Sequence, residues 1–298
     1  TRVGQVLVAD VMGPELRSVE GERYMVVVRD IFSGVTMGDP VGSKDASIVM
    51  SSVLRIHGEL VGGKPGELVT DDMRSEWALH TDHGSEFTAE SAQVMLARAG
   101  GQHYLSTAYR HSGRAEAAVK EMRKRMLVVL NKCSLSPQHW SFVARWVSVD
   151  NLQGSSETRD LPAASYNTKI GALAIVKLKS PIARKAKVEA QRTHVMVLSC
   201  DRGTAESVRV AFRVAGDDHL HYTSVSRREI RYYEDERMAM TGAVKDLVEE
   251  HHYDADFVAL DHLEDGDVAV TADESSDDEW DKLFKAADEE LEEKRVDC

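Results

Sequence analysis

Cysteine is scarce in this chain of 298 residues: Cys133, Cys200 and Cys298 are scattered, odd in number and form no C-x-x-C pair. That argues against a disulfide framework or a zinc knuckle and sets a reducing compartment as the expectation. Long apolar runs are missing as well. YMVVV (24–28) and MLVVL (126–130) are the longest candidates, far short of the roughly 20 apolar residues a membrane helix needs. The opening TRVGQ has neither the basic start nor the apolar stretch of a secretory signal. The chain therefore reads as neither secreted nor membrane-bound, nuclear or cytoplasmic, and compatible with being a fragment of something longer.

Charge is present in quantity but unevenly. The formal net charge is −13, which by itself argues against nucleic acid. Residues 231–298 carry 24 acids and 7 bases, a net −17, whereas residues 1–230 carry 26 acids and 30 bases, a net +4. The body is thus mildly basic and permits a polyanionic partner. The tail is poor in aromatics and contains the low-complexity stretch SSDDEW, so it is expected to be a disordered linker or partner-binding segment.

VLVADV (6–11) and RYMVVVRD (23–30) are rich in β-branched residues and read as neighbouring strands, with a short third strand around Gly34 to Met37. Ala46, Val49, Met50, Val53 and Leu54 recur at helical spacing. ELVT (67–70), WALHT (77–81) and HYLS (103–106) are further strand candidates. Thr88 can cap a helix that runs to Ala99, closed by Gly100 and Gly101. A long helix begins near Gly113, with Ala115, Val119, Met122, Met126 and Val129 on one face, and another covers about 139–150. Strands first, then helices alternating with strands, predict an α/β layer domain with a mixed sheet. From about Ala172 the texture changes to short strands spaced by turns, as in a small β-barrel.

Three carboxylates stand at places where chemistry could use them. Asp10 ends the first strand, Asp82 follows WALHT within HTDHGSEF, and Glu116 lies in the first turn of the long helix. Taken singly, Asp10 is an ordinary strand-end residue and Glu116 an acid favoured by the helix macrodipole. Taken together, they are hard oxygen donors on separate elements, suited to divalent cations that keep coordination places for water and phosphate. Two such ions can activate an attacking hydroxyl and stabilise a leaving oxygen at a phosphodiester. Asp71 and Asp72 are rival second ligands, though they lack the following Gly-Ser-Glu-Phe.

VADVMGPE, GERYMVVVRDIFSG, HTDHGSEF and YRHSGRAEAAVKEMRKR resemble, in that order, the catalytic core of retrotransposon and retroviral integrases, most closely the copia-type elements. The resemblance covers about residues 5–165, and PQHWSF and DLPAAS extend it. It implies an RNase H-like fold, a triad of Asp10, Asp82 and Glu116, two Mg²⁺ or Mn²⁺ ions, and joining of element DNA 3′ ends to target DNA by transesterification. It also implies DNA contacts from Lys120 and Arg123, a homo-oligomer, and polyprotein neighbours. Lys177, Lys179, Arg184, Lys185 and Lys187 form a second basic cluster open to phosphate contact. Departures are Ser112 before Gly113 in place of Asn, Arg29 where a second acid is common, and no amino-terminal His/Cys zinc domain.

The expected organisation is an integrase-like catalytic core at 1–165, a small SH3-like β-barrel at 172–233 and an acidic tail at 234–298. The alternatives are an RNase H-like nuclease that uses water as nucleophile and a decayed DNA-binding remnant. If basic residues of the body grip phosphates, the tail is a competing polyanion. Truncation after Glu234 is then expected to tighten DNA binding at low salt, with the advantage shrinking as salt rises. Binding isotherms of full and truncated chains at two salt concentrations check this; equal affinities at low salt would leave the tail a spacer.

Overall fold

The computed structural model describes residues 2–62, 77–106, 113–133, 135–161, 169–176, 193–200, 207–213 and 220–232. Among these, one compact unit holds residues up to 130 together with 136–161, and a second holds 131–133, 135 and 169–232. The strand expected at 67–70 and the acidic tail lie outside the described residues. No helix among the described residues is long and apolar enough to cross a membrane.

The first unit is a mixed α/β structure. Its strands are β1 (Val6–Met12), β2 (Tyr24–Asp30), β3 (Thr36–Val41), β4 (Trp77–Thr81) and β5 (Gly101–Leu105); its helices are α1 (Ala46–Leu60), α2 (Ser85–Thr88), α3 (Glu90–Arg98), α4 (Gly113–Lys132) and α5 (Trp140–Gly154). The sheet order is β3-β2-β1-β4-β5. β1, β2 and β3 pair antiparallel, whereas β1–β4 and β4–β5 pair parallel. β1 lies at the centre and is buried on both faces, which explains why VLVADVM is almost continuously apolar.

Leu7, Ala9 and Val11 of β1 face a core made with Val49, Met50, Val53 and Leu60 of α1 and with Leu79, Phe87 and Leu96. His57 is buried in the same region, stacked on Trp77 with ring centroids 4.1 Å apart. Its Nε2 lies 3.1 Å from the Gly4 carbonyl, and burial pushes its pKa down to about 4. On the opposite sheet face, a Cβ on Gly38 would stand 2.7 Å from Met25 Sδ and 3.1 Å from Met122 Cε of α4. Only glycine admits so close an approach of helix and sheet.

β3 begins later and runs longer than the sequence suggested, and it includes Pro40. Proline is tolerated because β3 borders the sheet. The rest of that border is covered by α5. Ser148 Oγ accepts from Gly38 N at 2.8 Å, and Asn151 Nδ2 donates to the Thr36 carbonyl at 2.5 Å. Side chains of a helix thus take the place of a sixth strand. The helix expected to run from a Thr88 cap to Ala99 is α3, but its cap position is Ala89; Thr88 instead ends a separate short helix, α2, that grows directly out of HTDHG.

In the second unit, β6 (Leu173–Val176), β7 (Thr193–Cys200), β8 (Ser207–Arg213), β9 (Leu220–Ser226) and β10 (Ile230–Tyr232) form an antiparallel sheet in the order β10-β6-β7-β8-β9. Ala174, Val176, Val195, Val197, Val208, Val210, Phe212, Val225 and Ile230 make its core. Alternation along β8, with Val208 and Val210 inward, is the period of a half-buried strand.

The α5 border gives a direct test. Ser148→Ala leaves the buried Gly38 N–H without its acceptor and is expected to cost about 1–3 kcal/mol, read as a lowered urea midpoint with unchanged slope.

Candidate functional site

The site is set by the parallel register of the two central strands. Val6, Leu7 and Val8 of β1 stand opposite Ala78, Leu79 and His80 of β4. Two residues beyond the last of these pairs come Asp10, which lies inside β1 and does not end it as expected, since the strand runs on to Met12, and Asp82, in the turn just past β4; the charge of Asp82 acts on Asp10. Across the sheet, Asp10 is opposite Val27, and Val27 is opposite Gly38. These residues share a row on the face against which Met122 of α4 packs.

Asp10 is half-buried and Asp82 exposed. The Asp10 carboxyl has a raised pKa, first because burial disfavours its charge; a hydrogen bond from Val11 N at 2.7 Å opposes this, and the charges of Asp82 and Glu86 add to the rise while Lys44 reduces it. Two carboxylates that repel across a partly desolvated gap favour a shared proton or a cation.

HTDHGSEF is now explicable. Thr81 ends β4 and is buried, and Asp82 Oδ1 accepts from Gly84 N at 2.9 Å, shaping the turn into α2. Gly84 has a φ of −55°, open to any residue, so turn freedom is not what it supplies. What it supplies is space. A Cβ there would lie 2.9 Å from the Glu86 carboxylate and 3.0 Å from Asp82 Oδ1. Phe87 is fully buried and ties the segment to the core as expected. His83 faces outward, its Nε2 2.9 Å from the Ser106 carbonyl.

A short relay supports Asp82 from behind. Gln93 Nε2 lies 2.7 Å from the Phe87 carbonyl and 2.6 Å from His103 Nδ1, and His103 Nε2 lies 2.8 Å from Thr81 Oγ1. Since the amide can only donate, it makes Nδ1 the acceptor and places the ring proton on Nε2. Thr81 Oγ1 in turn donates to the Asp82 carbonyl at 2.8 Å. His103 is a positioning element of this turn.

Glu116 is exposed in the first turn of α4. That helix begins near β4, where the charge of Arg114 acts on His80, and reaches Gly38 of β3 at Met122. It therefore crosses the sheet on the face that carries Asp10 and Asp82. Among the described residues, no group of three or more His, Cys, Asp or Glu side chains comes together as a metal site. The close acidic companion of the aspartate pair is Glu86, with Lys44 Nζ 3.9 Å from its Oε1 and 5.6 Å from the centre of the Tyr24 ring. Sequence inspection had no signal for Lys44, because only the fold brings the loop after β3 to the end of β1.

The nucleic-acid residues separate into distinct cases. Lys120 is exposed on α4. Arg123 is ion-paired at 3.0 Å with the buried Glu15 and is itself largely covered. Lys177, Lys179, Arg184, Lys185 and Lys187 lie outside the described residues, as do the rival ligands Asp71 and Asp72.

No family model matches the chain, and no curated protein matches it in sequence.

As donors, the aspartate oxygens are suited to Mg²⁺ or Mn²⁺. Such ions are commonly held by one or two carboxylates, with water and phosphate oxygens completing the coordination. Without metal, the raised Asp10 pKa means that the folded state disfavours its charged form, a penalty present above the folded pKa and lost as pH falls below the ordinary value of 3.8. Asp10→Asn is therefore expected to raise the melting temperature at neutral pH in metal-free buffer, with the gain disappearing in acid. Added Mg²⁺ or Mn²⁺ is expected to stabilise the parent and leave the Asp10→Asn, Asp82→Asn double variant unmoved; equal stabilisation of both would place the metal elsewhere.

Proposed function

We propose that the protein is an integrase-type polynucleotidyl transferase that joins DNA 3′ ends to target DNA, with Asp10, Asp82 and Glu116 as its metal-holding carboxylates. The observation that supports this reading is the parallel pairing of β1 with β4, together with the action of the Asp82 charge on Asp10: two aspartates chosen from separate motifs are near neighbours. The mixed sheet with order β3-β2-β1-β4-β5 is compatible with an RNase H-like core, and the antiparallel second unit with the small barrel. The divided charge of the chain fits DNA as partner.

In this reading, divalent ions supply charge stabilisation and an activated nucleophile at the phosphodiester. The protein's part is placement. Asp10 sits on β1 and Asp82 in the turn that follows the adjacent strand β4, Gly84 leaves room beside Asp82, and the Gln93–His103–Thr81 relay supports that turn. α4 carries Glu116 over the same sheet face and presents Lys120 outward for phosphate contact. The half-buried setting of Asp10 increases the effect of any cation held there, because charges act more strongly where water is partly excluded.

A fluorescently labelled DNA end incubated with the intact chain and Mn²⁺ tests the reading. Products longer than the substrate are the expected outcome, and Asp82→Asn is expected to reduce them about a thousand-fold or more, as removal of several kcal/mol of transition-state stabilisation does. Shortened products alone would make the protein a nuclease of the same architecture. DNA binding without either product would make it a non-catalytic remnant.

A further inference from the structure

One row behind the aspartates, on the same sheet face, is a pair of rings. His80 of β4 stands opposite Tyr104 of β5 in the parallel register, and the rings are stacked with centroids 5.1 Å apart and planes 16° apart. β5 is the last strand of the described sheet, so the face that Tyr104 turns away from His80 looks outward. The residue is 46% exposed. Tyr104 Oη donates to Gln102 Oε1 at 2.7 Å.

Arg114, in the first turn of α4, stands near enough for its charge to act on His80. Asp10 and Asp82 lie two residues further along the strands than Val8 and His80, about 7 Å away at the usual strand rise. One nucleotide covers that span from its phosphate to its base.

We infer that the His80–Tyr104 pair is a stacking shelf for an unpaired nucleobase of a DNA strand whose phosphate lies at Asp10 and Asp82. The inference rests on the proposed function and adds to it the preference for a frayed or single-stranded end. Stacking on such a shelf is tolerant of base identity, because every base offers a π face. Arg114 adds cation–π attraction at the margin.

The test uses the intact chain on ice with Mn²⁺ and a duplex bearing a short single-stranded overhang. The overhang carries 2-aminopurine, whose emission is quenched by ring stacking, and a fluorescein at the far end reports binding by anisotropy. The parent is expected to quench the overhang base, a measurement that needs no variant. Tyr104→Ala is expected to abolish the quench and weaken overhang binding about ten-fold, while leaving blunt-duplex binding within about two-fold. Tyr104→Phe is expected to retain both signals. An unquenched base on the parent, or a quench that survives Tyr104→Ala, overturns the shelf and leaves DNA binding standing. No anisotropy change with any DNA overturns the shelf and the proposed function together.

Discussion

The parallel pairing of β1 with β4 is the constraint on which the rest of the first unit depends. Side chains alternate between the faces of a strand, so a slip of one residue in that register would carry Asp82, His80 and Ala78 to the opposite side of the sheet. Leu79 and Thr81, both buried, would then point towards α4 in place of the α1 core. The register is therefore specified by hydrophobic burial, and the aspartate pair inherits its geometry from apolar packing. Thr81 joins the two requirements in one residue: it is buried in the core and bonded through His103 to α3.

Much of this architecture was legible in the sequence because its signals are local. The β-branched runs of β1 and β2, the alternation of β4, the strands β7 to β9, and the apolar stripe of α4 follow from periods of 2 and 3.6 residues. Asp82 was legible as an acid at a strand end, whereas Asp10 lies two residues inside β1, which runs on to Met12; their juxtaposition was expected through a resemblance. What could not be read arises from contacts distant along the chain. β3 extends through Pro40 because α5, over a hundred residues later, seals its outer groups. Gly84 looked like turn chemistry, but its constraint is the space claimed by two carboxylates. Lys44 has no local pattern at all.

The basic character of α4 also looks different in three dimensions. Arg123 is committed to Glu15, Arg29 to Glu121 at 2.5 Å, and Arg145 of α5 to Glu20 at 2.6 Å and Glu22 at 2.5 Å. Glu15 and Glu22 are buried in the β1–β2 connection, where a charge needs a partner. These pairs tie the connection to α4 and α5. Net charge therefore overstates the surface available to phosphate.

The cover that α5 lays over β3 has a consequence for biosynthesis. A chain synthesised only as far as β5 already contains every described strand of the first sheet, yet the Gly38 N–H and the Thr36 carbonyl meet their α5 partners only when residues 148 and 151 emerge. An uncovered border of this kind invites pairing with other chains, and growing polypeptides are exposed to that hazard for as long as their length falls short. The shortest fragment of this unit that resists aggregation thus extends through α5, well beyond the last residue that its sheet requires.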